Sequence, residues 1–215
     1  MRLLLIRHGH MAGDPFVCPP RPVSGCLSEE GAAQALALNR ALQNERVDCA
    51  LSSPYGRALQ TCETVIAPRG IPVVIVPGLE EWTPSPGAQK MTSTEFEAMC
   101  ARDLERHAEE TWKTDAGEGC FDLYARVVPA LLNALAAQGW RHRMGAWAPD
   151  PGTEDNTIAL FAHGGSLNIM LAFLLGVMPF PAGRFVFDLA GVAQVDFSPR
   201  RGLWHPALKI KTLPA

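Results

Sequence analysis

The chain predicts an α/β fold of three layers, α/β/α, around a mostly parallel central sheet, and three observations carry that expectation. Short apolar runs at 3–6, 50–52, 73–76 and 157–162 read as strands, and the segments between them carry helix caps and helical apolar periods. Strands that alternate with helices in this way pair in parallel, through crossovers that lie on the sheet faces. With 215 residues, 47% of them hydrophobic, the chain can bury one sizeable core, so a single domain over 1–215 is expected, with a lid-like insertion at about 83–119.

The first strand is Leu3-Leu4-Leu5-Ile6, and it ends in Arg7-His8-Gly9. Ligands of open α/β sheets bind beyond the carboxyl ends of the strands, which places Arg7 and His8 at the mouth of a site. The following loop, 10–26, holds Pro15, Pro19, Pro20 and Pro22 with Gly13 and Gly25, too many breakers for regular structure. Ser28 reads as an N-cap, with Glu29 and Glu30 in the first turn of a helix that runs to about residue 44. Ala50-Leu51-Ser52 is the second strand. It stops at Ser53-Pro54, read as a cap and a first helical proline, so that Arg57 falls in the first turn of a helix over 55–67. Val73-Val74-Ile75-Val76, between prolines, is a β-branched third strand that leads into Leu79-Glu80-Glu81-Trp82.

The insertion is polar, enters through Pro84, Pro86 and Gly87, and carries a helix over 94–110. A strong apolar period at Val127, Val128, Leu131, Leu132 and Leu135 marks a helix over 121–137. Residues 139–156 read as a loop, and Arg141-His142-Arg143 within it as a solvated turn. The fourth strand, 157–162, delivers His163-Gly164-Gly165, and Ser166 reads as the cap of an apolar helix over 167–175. Extended runs at 185–188, 191–197 and 208–213 would complete the sheet.

Composition narrows the partners. A net charge of −3 gives no basic field, so no nucleic acid is expected. No continuous apolar run approaches the roughly 18 to 20 residues of a membrane span, and the apolar run at 3–6 is too short for a signal peptide, so no membrane contact and a cytoplasmic address are expected. Six cysteines lie scattered without a Cys-x-x-Cys pair, which reads as reduced thiols; Cys18 and Cys26 flank the Pro-rich loop and are not expected to pair. No metal site is expected, because His8 and His10 diverge on extended backbone and no ligand pair sits at helical spacing. His107 and His142 read as surface residues, and Trp82 and Trp112 as packing residues or pocket walls.

Parallel strands would bring their polar ends together: Arg7 and His8, then Arg57, Glu81 and His163. Two guanidinium groups can grip a phosphoryl group by paired charge-assisted hydrogen bonds, and Gly164, at a helix N-terminus, can add backbone N–H donors. A neutral imidazole is a suitable nucleophile toward phosphorus, and one carboxyl group can protonate the departing oxygen and later accept a proton from water. A serine hydrolase fits poorly, since the Gly-x-Ser-x-Gly elbow fails at Asn168. A silent binding module predicts damage to the reacting set, and none of the five residues is missing.

These residues resemble the histidine phosphatase superfamily, also called phosphoglycerate mutase-like. Its opening Arg-His-Gly stands at Arg7-His8-Gly9, and its Ser-Pro-x-x-Arg-Ala-x-Gln-Thr at Ser53-Pro54-Tyr55-Gly56-Arg57-Ala58-Leu59-Gln60-Thr61. Leu27-Ser28-Glu29-Glu30-Gly31, Leu79-Glu80-Glu81 and His163-Gly164-Gly165 match further elements in order over most of the chain. The resemblance implies a cofactor-free phosphatase acting on a small phosphorylated substrate. It implies that His8 is phosphorylated, that Arg7, Arg57 and His163 hold the phosphoryl group, and that Glu81 is the proton donor, with Glu80 its rival. Trp82-Thr83-Pro84-Ser85 replaces the Arg-His-Tyr-Gly of the mutases, which favours hydrolysis over mutase-type phosphotransfer. Met11 and Asp14 depart from the family pattern, Glu118 is either structural or in contact with substrate, and a homodimer is left open.

Overall fold

The computed structural model describes residues 1–13, 26–106, 114–179 and 183–209. Leu3, Leu4, Leu5 and Ile6 are all buried because β1 (Arg2–Arg7) lies inside the sheet, paired in parallel with β6 (Thr157–Ala162) and antiparallel with β7 (Val192–Arg200). An apolar run without polar alternation suits a strand covered on both faces, and the two cores confirm the cover. Leu3 and Leu5 point into one cluster, with Val127, Leu131 and Leu135 of a helix at Cys120–Ala137 and Leu167, Met170 and Leu174 of a helix at Gly164–Leu175. Leu4 and Ile6 point into the other, with Leu38 and Leu42 of α1 (Glu29–Leu42) and Cys62, Val65 and Ile66 of α2 (Gly56–Ile66). The period-2 alternation of strand side chains thus separates the layers.

Next to β6 stand β2 (Cys49–Ser52) and then β3 (Val73–Ile75), both parallel to it, so the four strands that end in candidate site residues run the same way. The register aligns Arg7 with Ala162, which brings the next residues of each strand, His8 and His163, level with one another. Beyond β7 the sheet continues antiparallel through β8 (Leu203–Lys209), β5 (Ala146–Pro149) and β4 (Trp140–Arg143). The layered α/β/α arrangement matches the expectation from sequence, with a sheet half parallel and half antiparallel.

Several local readings change. The segment 139–156 contains the β4–β5 hairpin, not only loop. Its turn is made by Met144 (φ 49°) and Gly145 (φ 79°), a pair of left-handed residues of the kind two-residue hairpins need, without the Asn-Gly signature that marks them. Trp140 and Trp147 anchor it in the core, and Arg141 pairs both guanidinium arms with Asp150 rather than lying in a turn. β3 is an edge strand with Val73, Val74 and Ile75 all exposed, so its β-branched run reflects strand propensity and not burial. α2 begins at Gly56 after Tyr55, leaving Pro54 outside it. The helix at 164–175 begins one residue after His163, so Ser166 sits inside its first turn, where its Oγ accepts the His163 N–H at 3.2 Å. The run 185–188 forms no strand.

The described residues of the 83–119 segment, 83–106 and 114–119, include a small cluster of Ala88, Met99 and Ala116 and the helix α3 (Ser93–Arg106). The next two helices in chain order are α4 (Cys120–Ala137) and α5 (Gly164–Leu175). α4 is long and apolar enough, by length and composition, to cross a membrane, but its apolar stripe lies on the sheet as a core helix does. Asp14, Cys18, His107 and Trp112 lie outside the described residues.

Gly9 and Gly31 meet where the end of β1 crosses the start of α1. A Cβ on Gly9 would stand 2.7 Å from the Gly31 carbonyl oxygen, and one on Gly31 would overlap the His10 carbonyl. Gly9 therefore serves the close approach of two backbones. Because backbone cannot move aside as a side chain can, Gly31→Ala should cost about 1–3 kcal/mol or more. Gly87→Ala, at an open position, should leave thermal unfolding nearly unchanged. Melting curves of the two variants check this; equal midpoints would contradict it.

Candidate active site

His8 follows β1 directly, and both its ring nitrogens are engaged. Nδ1 lies 2.7 Å from the Gly9 carbonyl oxygen, which can only accept, so Nδ1 carries the proton. Nε2 faces Arg57 Nε at 3.1 Å, which can only donate, so Nε2 carries the lone pair. The two neighbours fix the same tautomer from opposite sides. Burial, and then the nearby Arg57 charge, push the His8 pKa down to about 3. The ring is therefore neutral, with its lone pair toward the guanidinium.

Arg57 comes from the second position of α2, beyond the end of β2, and is almost wholly buried. Its guanidinium lies 5.1 Å over the Tyr55 ring. Thr61, one turn on, donates its hydroxyl to the Arg57 carbonyl at 2.7 Å and accepts the Gly9 N–H at 3.1 Å. One threonine thus ties the helix that carries the cation to the strand end that carries the imidazole. Arg7 reaches the same place from β1, with Nη1 donating to the Phe187 carbonyl at 2.6 Å.

His163 ends β6 and is fully buried, its ring centroid 5.1 Å from that of His8. Its Nε2 lies 2.8 Å from Ser53 Oγ, and burial lowers its pKa well below the usual imidazole value, with the Arg57 charge adding to the effect. Among the described residues, the buried side-chain polar atoms without a hydrogen-bond partner include Arg7 Nε, Arg57 Nη1 and His163 Nδ1. Neither Arg7 nor Arg57 forms an ion pair there. Unpaired buried donors on cations are costly, and a group that brings negative charge and several acceptor oxygens would satisfy them.

Glu81 approaches from the stretch after β3. Its carboxylate accepts N–H bonds from Gly165 (3.1 Å) and Ser166 (3.3 Å) at the N-terminus of α5, and from Trp82 (2.8 Å). A Cβ on Gly165 would collide with that carboxylate, so the second glycine of His-Gly-Gly makes room for Glu81. The first, Gly164, packs its Cα side against the Arg7 guanidinium. Glu80 turns the other way, toward the Gly78 N–H and Arg126. Adjacent side chains on extended backbone diverge, and only Glu81 reaches the pocket.

The pocket is a cavity of about 360 Å³ whose lining includes Arg7, His8, Arg57 and Glu81, with Tyr55 and Trp82 as aromatic walls. Thr83, Pro84 and Gln89 bring the 83–119 segment to its rim. A larger cavity, about 530 Å³, lies elsewhere against Tyr124, Trp147 and Phe173. Size does not make it the reactive site, because it has no paired cations. The structure thus brings Arg7, His8, Arg57, Glu81 and His163 together. Ser166, the serine of the rejected hydrolase reading, is buried with its hydroxyl engaged by the His163 backbone. Ser53, read from sequence only as a cap, and Thr61, Phe187, Gly165 and Arg126 carry no site role in the sequence reading. The first two stand inside the Ser-Pro-x-x-Arg-Ala-x-Gln-Thr motif, where a polar residue at each fixed position was the available signal.

The chain is similar to known proteins over nearly its whole length. The sequence model of the histidine phosphatase superfamily (branch 1) matches residues 3–206. An adenosylcobalamin/alpha-ribazole phosphatase of Salmonella typhi is 29% identical over 229 residues, an alignment that spans 96% of this chain and all of that protein. The alpha-ribazole phosphatase structure from Shigella flexneri superposes with a TM-score of 0.71 at 22% identity, covering 97% of this chain and 95% of the other. A mycobacterial glucosyl-3-phosphoglycerate phosphatase complexed with VO3 gives a TM-score of 0.71 at 23% identity, covering 99% of each chain.

The buried neutral imidazole has a consequence for stability. Unfolded, His8 titrates near its usual 6.5; folded, near 3, so between those values the unfolded chain binds the extra proton. Stability therefore falls as pH drops below about 6.5, and this contribution is fully lost below the folded value. His8→Gln should flatten the fall in melting temperature between pH 6.5 and 4.5 relative to the parent. An unchanged slope would contradict the assignment.

Proposed function

The chain belongs to the histidine phosphatase superfamily, and we propose that it hydrolyses phosphate monoesters in two steps through a phosphohistidine on Nε2 of His8. The observation that carries the reading is the pair of opposed hydrogen bonds on the His8 ring, which leaves a neutral imidazole with its lone pair directed at a cation-lined pocket. The relatives it matches are named phosphatases with different substrates, so what carries over to this chain is the phosphoryl group and not the alcohol.

Arg57 stands in front of the lone pair. As a phosphate monoester enters, its oxygens take over the donors of Arg57 and Arg7, and phosphorus arrives where the guanidinium had masked Nε2. The Nε2 lone pair forms the P–N bond while the P–O bond to the alcohol breaks, and Glu81, entering this step protonated, gives its proton to the departing oxygen. Water then attacks phosphorus. Its proton goes to the Glu81 carboxylate, the P–N electron pair returns to Nε2, and inorganic phosphate leaves. Arg7, Arg57 and His163 stabilise the charge spread over the transferring group in both steps. Trp82, Thr83, Pro84 and Gln89 line the same cavity, which supports a contact between them and the alcohol.

Turnover of p-nitrophenyl phosphate and of an alkyl phosphate by the parent, His8→Ala and Glu81→Gln tests this. His8→Ala should show no turnover above background on either substrate. Glu81→Gln should lose about 100-fold or more on the alkyl phosphate, whose leaving group needs a proton, and much less on p-nitrophenyl phosphate. Equal turnover by the parent and His8→Ala would overturn the reading.

A further inference from the structure

The stretch that carries Glu81 has no regular structure of its own, yet its carboxylate is seated on the N-terminus of α5. Backbone outside helix and sheet needs other partners for its polar groups, and here one side chain satisfies three of its carbonyls. Arg126, on α4, donates from Nη1 to the carbonyls of Gly78 (3.1 Å) and Glu80 (3.2 Å), and from Nη2 to the carbonyl of Glu81 itself (3.0 Å). Its remaining donors hold Glu118 in a two-armed pair, Nε to Oε1 at 2.9 Å and Nη2 to Oε2 at 2.8 Å. Glu118 in turn accepts the Thr83 N–H on its carboxylate and the Trp82 indole N–H on its carbonyl. Every nitrogen of the guanidinium is therefore engaged by protein acceptors, which leaves it unsuited to gripping substrate.

We propose that Arg126, locked in place by Glu118, is the positioning residue for the Glu81 proton donor, fixing the backbone of 78–83 so that the Glu81 carboxylate meets the pocket. The inference rests on the reading of Glu81 as the acid. Planar, two-armed pairing to Glu118 sets the orientation of the guanidinium, and the three carbonyls it binds set the path of the chain on both sides of Glu81. The same pair holds Trp82, so the acid and the aromatic wall of the pocket keep a constant relation. Gly117, next to Glu118, permits the contact: a Cβ there would stand 2.6 Å from Trp82 Cζ2.

A group that merely stabilises the fold would affect all substrates alike; one that acts through Glu81 affects those that need its proton. Arg126→Met should lower kcat/KM on an alkyl phosphate by about 100-fold, the scale of a misplaced catalytic group, and on p-nitrophenyl phosphate by no more than about 5-fold. Added to Glu81→Gln, it should cost nothing further on the alkyl phosphate. Glu118→Gln, which keeps the shape and the backbone contacts, should show the same selectivity for the alkyl phosphate to a smaller degree and carries the test if Arg126→Met does not fold. Equal losses on both substrates, or additive losses in the double variant, would overturn the proposal. If Glu81→Gln alone is indifferent to the leaving group, the acid assignment falls and this proposal with it, a result separable from failure at Arg126.

Discussion

Gly9 is the residue on which the site depends. Its carbonyl holds the His8 Nδ1 proton, its N–H is held by Thr61, and its Cα lies against Gly31 with no space for a side chain. The first contact sets the tautomer, the second ties the strand end to the helix that carries Arg57, and the third seats both on α1. An imidazole that is to act as a nucleophile must present a lone pair in a constant direction, and three constraints on one glycine, one of them through the buried Thr61 side chain, favour this.

Around that glycine the fold gathers groups that are uncomfortable together. Two guanidinium groups without carboxylate partners and two imidazoles held neutral by burial share a few ångströms of space. None of this favours folding, and a bound phosphate dianion would relieve most of it. The stability that tolerates the arrangement comes from elsewhere, from the continuous apolar strands β1 and β6 and the two helix layers closed over them. Local destabilisation and the phosphoryl affinity we propose would be two consequences of the same uncompensated charge.

The parts of this design legible in sequence were those where chemistry and period coincide. An unbroken apolar run followed by Arg-His-Gly or His-Gly marks a strand buried on both faces that ends at a site, and β1 and β6 stand where those runs predict. Arg57 could be placed because a strand and a helix start bracket it. The β4–β5 hairpin was hidden because Met144 occupies a left-handed position without a typical turn residue, and the edge character of β3 because three β-branched residues look alike buried or exposed. Arg126 was invisible for a different reason: its partners are carbonyls of residues 78, 80 and 81, and backbone acceptors leave no mark in a sequence. Glu118 was visible as an element but not in its role, since only the fold shows that it faces Arg126.

We propose that Nε2 of His8 takes the phosphoryl group because Nδ1 is committed to the Gly9 carbonyl. Rapid alkaline quench of the enzyme during turnover of p-nitrophenyl phosphate, followed by peptide mapping and phosphorus NMR of the labelled peptide, tests it directly. One phosphorylated residue is expected, His8, with phosphorus bonded to Nε2. Phosphate on Nδ1, on another residue, or on none during active turnover would contradict it.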